Sequence, residues 1–171
     1  MKRISTFIAA ICLCVSPLLA QEIFNASFQN EDEFKAWTVI DSNDDGKTWQ
    51  YDSSTSPSVF YSYHSTNSAN DWLISPAITS TQSGTIAVSF TVKGSSYGEK
   101  LEVFSGNAAT VDAMSCRICE TVALSDSEAS QLYLLSVTAN EPIYLGLHAC
   151  SDRDKWRLYL SNVTVKFTSN P

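Results

Sequence analysis

The sequence predicts an all-β protein, a jelly-roll β-sandwich forming a single domain. Two observations carry that prediction. Apolar residues alternate with polar ones through Ile86-Ala-Val-Ser-Phe-Thr-Val-Lys93 and again through Leu158–Phe167, which is how a strand with one buried face reads. Between such runs stand clusters of turn formers: Asn43-Asp-Asp-Gly46, Gln82-Ser-Gly84, Gly94-Ser-Ser-Tyr-Gly98, Ser105-Gly-Asn107 and Asn140-Glu-Pro142. Their intervals suit antiparallel strands and leave no room for crossover helices. Long strands joined through Greek-key connections give a jelly roll; a closed β-barrel is the competing geometry.

The first element is not part of the fold. Lys2 and Arg3 precede an apolar run from Ile4 to Val15, and Ser16-Pro-Leu-Leu-Ala20 breaks it. This reads as a secretory signal over residues 1–20, cleaved after Ala20, which leaves a single β-sandwich domain over residues 21–171. The run is shorter than the roughly 20 apolar residues that span a bilayer, and no later segment approaches that length. Ile11 and Leu13 precede Cys12 and Cys14 where a lipid-attachment site wants a small residue. The product is expected to be exported: periplasmic, cell-surface or secreted.

With Lys2 and Arg3 gone, nine of the 11 basic residues remain against 18 acidic ones, and the net charge moves from −7 to −9. Such a surface repels phosphate backbones and anionic membranes, so nucleic acid is excluded as a partner and cations are favoured. Three cysteines survive cleavage, Cys116, Cys119 and Cys150, and an odd number cannot all pair within one chain. Cys116-Arg-Ile-Cys119 has the spacing of a redox dithiol, but Met114–Val122 reads as an extended segment without the helix N-terminus that activates such thiols. A bridge from one of this pair to Cys150 is the other option.

The remaining elements follow in order. Asn30-Glu-Asp-Glu-Phe-Lys-Ala36, acidic at its start, predicts a short helix, and Asp126–Ser130 a second one. Trp37-Thr-Val-Ile40 and Thr48-Trp-Gln-Tyr51 predict strands flanking a polar loop. Asn70-Asp-Trp-Leu-Ile-Ser-Pro-Ala-Ile78 is a polar turn feeding an apolar strand that a proline closes. Leu101–Phe104, Leu132–Val137 and Ile143–His148 are further strands. In the last strand the apolar phase switches at Ser161-Asn162, which predicts a β-bulge there.

The loop after Ile40 carries ligand chemistry. Asp41, Asn43, Asp45 and Gly46 match the opening of a D-x-[DN]-x-[DN]-G calcium loop. A hard cation wants about six to eight oxygens, and a tight turn at glycine lets alternate side chains converge. The flanking strands and the short Asp52 argue against an EF-hand. A calcium loop between strands, with Asp41, Asn43 and Asp45 as metal ligands, stands beside a purely structural turn, since the same residues serve both.

Trp49, Tyr51, Phe60, Tyr61, Tyr63 and Trp72 cluster in or near these loops. Rings flanked by Asn and Asp suit a carbohydrate platform, so Trp49, Tyr51, Tyr61, Tyr63 and Trp72 are candidate ligand-binding residues. Core packing is the competing use of the same rings. Trp37 and Trp156 are assigned to the core, and His148 to a buried, hydrogen-bonded strand position. Catalytic signatures are missing: there is no G-x-S-x-G elbow, H-E-x-x-H helix or phosphate-cradling glycine loop. Glu99 with Glu102, or Asp152 with Asp154, could be proposed as the carboxylate pair of a glycoside hydrolase, but nothing in the sequence favours them. No catalytic residue is assigned, and the chain is not expected to be an enzyme.

Trp37-Thr-Val-Ile-Asp41, Asp45-Gly46, Trp49 and Asn70–Ile78, followed by Gly84–Phe90, Glu99–Phe104, Tyr144–Cys150 and Trp156–Val165, resemble the cleaved-adhesin, or choice-of-anchor J, domains of gingipains and haemagglutinins in Bacteroidetes. The resemblance covers nearly all of residues 21–171. It implies a jelly-roll sandwich, extracellular placement, structural calcium, and binding of host proteins, haem or cells. The chain departs from the family pattern at Ser27-Phe28-Gln29, where an acidic residue is usual, and at Ser161-Asn162, where the closing strand usually carries paired aspartates. The expected function is therefore an exported adhesin-type module recognising a host or cell-surface protein or glycan, with calcium as a structural ion. A carbohydrate-binding module using the loop aromatics is the alternative.

Overall fold

The computed structural model describes residues 20–54 and 57–168. All but the last residue of the expected signal segment lies outside the described residues. Period-two patterning dictates what is seen. β1 (Gln21–Ala26), α1 (Glu31–Lys35), β2 (Thr38–Asp41), β3 (Trp49–Asp52), β4 (Ser58–Ser62), β5 (Asp71–Ile74) and β6 (Ile78–Thr79) form the first half. β7 (Gly84–Lys93), β8 (Lys100–Gly106), β9 (Cys116–Ala123), β10 (Ala129–Val137), β11 (Pro142–Ala149) and β12 (Arg157–Thr168) form the second.

These strands make two six-stranded antiparallel sheets stacked as a jelly-roll sandwich. The first sheet runs β10-β7-β12-β4-β3, with β1 beside the far half of β12; the second runs β2-β5-β11-β8-β9, with β6 beside β11. Alternation decides which side chains meet between them. Ile86, Val88, Phe90 and Val92 of β7 and Leu158, Leu160, Val163 and Val165 of β12 are buried against Leu73, Leu101, Val103, Leu145 and Leu147 of the second sheet. Each such side chain contributes about 1.5–3 kcal/mol on burial. The expected bulge is present: the β12–β7 register shifts between Leu160 and Asn162, so both apolar phases face the same core.

α1 forms for local reasons. Asn30 is its N-cap, its Oδ1 accepting the Glu33 N–H at 3.0 Å. The Glu33 carboxylate reaches back to accept the N–H groups of Ser27 (2.9 Å) and Phe28 (2.7 Å), a reciprocal cap. The second expected helix does not form. Asp126 and Ser127 lie in a bend, and Ala129 and Ser130 open β10, paired with Val92 and Thr91. Trp37 is buried as expected, but Trp156 is 48% exposed. It precedes β12, and its ring stacks on Tyr63 at 5.7 Å outside the core.

The second sheet also has a covered outer face. Trp72, Ile74 and Met114 pack there with Ile40, Phe104 and Tyr144. A glycine at 146 makes room for this: a Cβ there would meet Met114 Sδ at 2.8 Å and Trp72 Cε3 at 3.2 Å.

Candidate functional site

Three places bring chemistry-bearing side chains together. The first is the β2–β3 loop. Asp41 ends β2, directly opposite Asp71 at the start of β5. Asp41 Oδ1 accepts the Asp45 N–H (3.3 Å) and Oδ2 the Gly46 N–H (2.8 Å), while Asp45 Oδ1 accepts the Lys47 N–H (2.8 Å). Asn43 Nδ2 donates to Asp45 Oδ2 (3.2 Å) and to the Ser68 carbonyl (2.8 Å). Gly46 sits at φ +78°, where a side chain would be strained. So far this is a self-satisfied turn.

Its floor is different. Asp71 is fully buried; Oδ2 accepts the Asn70 N–H at 3.1 Å, and Oδ1 has no partner. Asn43 Oδ1, Thr48 Oγ1 and the Tyr61 hydroxyl are likewise buried without partners. Tyr61 and Asp71 are close enough to influence each other's ionisation, yet they form no hydrogen bond of acceptable geometry. Burial, reinforced by Asp41 and Asp45, pushes the Asp71 carboxyl up to about 7. Oxygen-only donors of this kind fit a hard divalent cation. The sequence pointed to Asp41, Asn43 and Asp45 but missed Asp71, because its contribution depends on strand pairing across 30 residues of chain.

The second place is the outer face of the first sheet. An open groove of about 500 Å³ crosses it, lined by Asp52, Ser58, Lys93, Glu128, Tyr159 and Ser161. The alternation that sends Leu158 and Leu160 inward sends Tyr159 and Ser161 outward. Lys93, Tyr159 and Phe60 lie in register across β7, β12 and β4. The Phe60 and Tyr159 rings stand 6.1 Å apart, and the Arg157 guanidinium caps Phe60 at 4.7 Å.

The aromatic platform expected from the loops is not assembled. Trp49, Tyr61 and Trp72 are buried, Trp49 and Tyr61 in the core and Trp72 in the covered cluster on the outer face of the second sheet. Trp49 Nε1 donates to the Asp71 carbonyl (3.3 Å), and Tyr51 stacks on Phe34 at 6.4 Å. Tyr51 and Tyr63 are half-buried, and Tyr63 pairs with the exposed Trp156. Period-two logic fails here because β4 buries Ser58, Val59, Phe60 and Tyr61 in succession, on both faces of the strand.

The third place is a lane on the outer face of the second sheet, where Trp72, His148 and Glu102 lie in register on β5, β11 and β8. His148 is hydrogen-bonded in a strand as the sequence suggests but half-buried instead of buried, its ring stacked on Trp72 at 4.3 Å. Cys150 follows two residues on. The three cysteines among the described residues are free, Cys119 buried and Cys116 exposed, so neither of that pair is bridged to Cys150. Cys116-Arg-Ile-Cys119 lies along β9 and not at a helix end. Each carboxylate pair considered for hydrolysis has at least one member engaged. Glu99 is buried, accepting Ser95 and Trp156 N–H groups, and Asp152 is bridged to Lys100 at 2.8 Å.

No family model and no curated protein matches the sequence. Solved structures do match the fold. The K1 cleaved adhesin domain of Lys-gingipain from Porphyromonas gingivalis W83 superposes with a TM-score of 0.68 at 14% identity, covering 85% of this chain and 98% of that domain. The K3 domain of the same protein gives 0.65 at 13% identity, covering 87% and 99%. The CBM22-1 xylan-binding domain from Paenibacillus barcinonensis gives 0.59 at 11% identity, covering 88% and 97%. At this identity the likeness speaks to architecture alone. This chain has the jelly-roll sandwich fold of the cleaved adhesin domains, an architecture that carbohydrate-binding modules share.

Proposed function

We propose that this chain is an exported, non-catalytic binding module of adhesin type that recognises a cell-surface glycan. The observation that carries the reading is the groove on the first sheet. Its lining offers carboxylates at Asp52 and Glu128, an ammonium at Lys93, hydroxyls at Ser58 and Ser161, and one ring, Tyr159. A hydroxyl-rich, uncharged chain satisfies such a lining, because sugar C–H faces stack on rings while edges take hydrogen bonds. The groove is open, as an extended oligosaccharide requires. Fold likeness to both adhesin and xylan-binding domains is consistent with this reading. The test is a glycan array probed with wild type and Tyr159→Ala. Discrete glycan hits weakened about tenfold by the substitution support it; an array without hits sinks it.

A protein ligand has its own observation. Leu132 and Leu134 are 67% and 66% exposed on β10, an edge strand. Retention of host-cell binding after glycan removal, lost in Leu132→Ser with Leu134→Ser, would favour it.

The structural ion belongs to the same proposal. Asp71 has an unpartnered oxygen within the electrostatic reach of Asp41 and Asp45, and Asn43, bonded to Asp45, has another; calcium bound there would supply the positive charge they lack. Asp41 and Asp45 now spend oxygens on backbone N–H groups, so binding would draw them towards Asp71. The role is architectural: the ion would fix the β2–β3 loop against β5.

A further inference from the structure

We propose that Glu102, His148 and Cys150 form a binding site for a borderline-soft divalent cation of the zinc class, distinct from the oxygen-lined loop. One donor atom from each lies within 4.8 Å of the other two, and among the described residues this is the one group of His, Cys, Asp and Glu side chains to converge so closely. Nitrogen, oxygen and sulfur donors together select zinc-like ions over calcium or magnesium. Tetrahedral zinc, with bonds of about 2.0–2.3 Å, wants donors roughly 3–4 Å apart. Closing this triangle therefore takes side-chain movements of about an ångström.

The surrounding contacts are those that orient metal ligands. His148 Nδ1 faces Glu102 Oε2 at 3.2 Å, and Nε2 faces Asn70 Oδ1 at 3.0 Å. With the proton on Nε2, the ring donates to Asn70 and presents the Nδ1 lone pair to the carboxylate, where a cation fits between them. A metal-bound histidine ordinarily donates its other N–H to such an oxygen. Glu102 is prepared in the same way: Oε1 accepts Arg117 (3.1 Å) and Thr121 (2.9 Å), leaving Oε2 for the ion. Stacking on Trp72 at 4.3 Å fixes the plane of the imidazole. Cys150 would bind as thiolate and release its proton on metal binding. Three protein ligands leave a fourth position for solvent or an incoming donor.

The competing arrangement puts the proton on Nδ1, turns the Asn70 amide and gives Cys150 no role. Titration of the purified protein with zinc and with cobalt(II) separates the two. The site predicts one equivalent bound, with a near-ultraviolet cobalt–thiolate absorption. Cys150→Ser should abolish that band and Cys116→Ser should keep it. Glu102→Gln and Asn70→Ala should each weaken zinc binding by about 10-fold to 100-fold. Should Cys150→Ser fail to fold, wild type still decides: zinc should protect Cys150 from alkylation and leave Cys116 reactive. A wild-type protein without cobalt–thiolate absorption, a band that survives in Cys150→Ser, or alkylation of Cys150 unchanged by zinc would overturn the site.

Discussion

Two carboxylates directly across a strand pair repel each other, and Asp41 and Asp71 occupy that position. Asp71 is the costlier of the two, since it is fully buried with one oxygen unpartnered. Asp71→Asn should therefore raise the thermal midpoint of calcium-free protein at neutral pH, by an amount equivalent to about 1 kcal/mol or more. The same substitution should abolish any rise in midpoint that calcium produces in wild type. Thermal melts with chelator and with calcium read both effects. A second residue-scale expectation concerns Gly146→Ala. The added methyl would press on Met114, which can move, and on the ring of Trp72, which cannot. Overpacking of this kind costs about 1–3 kcal/mol, measurable as a lower denaturant midpoint.

At the scale of elements, legibility followed the clarity of alternation. β7 and β12 have one polar and one apolar face, so their inward residues and even the Ser161-Asn162 phase switch were readable. β4 and β5 were not, because nearly every residue in them is buried and the sequence gives no phase. That ambiguity misplaced Tyr61 and Trp72 on the surface. Trp156 went wrong for the opposite reason: it lies before β12 begins, where no strand phase constrains it. The short segment Asp126–Ser130 has helical residues, but pairing of β10 with β7 along nine register positions overrides a single turn of propensity. α1 is held by its cap more than by packing. Glu33→Ala strands the N–H groups of Ser27 and Phe28, the latter in a left-handed backbone at φ +51°. The expected cost is about 1–3 kcal/mol in urea unfolding.

At the scale of the molecule, the sandwich divides its labour. The interior between the sheets holds the fold, and the outer faces and loop ends hold the chemistry. None of the three sites could be assembled from local sequence. Glu102 meets His148 only through the β8–β11 pairing. Lys93 meets Tyr159, and Asp41 meets Asp71, through other pairings. The Asp41, Asn43, Asp45 and Gly46 part of the β2–β3 loop was local, because those residues are neighbours along the chain, but its partner Asp71 was not. No helix among the described residues is long and apolar enough to cross a membrane, and the strongly acidic character of the chain accords with ligands that carry hydroxyls in place of phosphates.

The central claim is that the groove on the first sheet takes a glycan, and mapping amide chemical shifts during oligosaccharide titration tests it most directly. Shifts should concentrate at Asp52, Lys93, Tyr159 and Ser161 and fade in Tyr159→Ala. Shifts confined to Tyr63 and Trp156, or to β10 around Leu132, would contradict it and move the binding surface elsewhere.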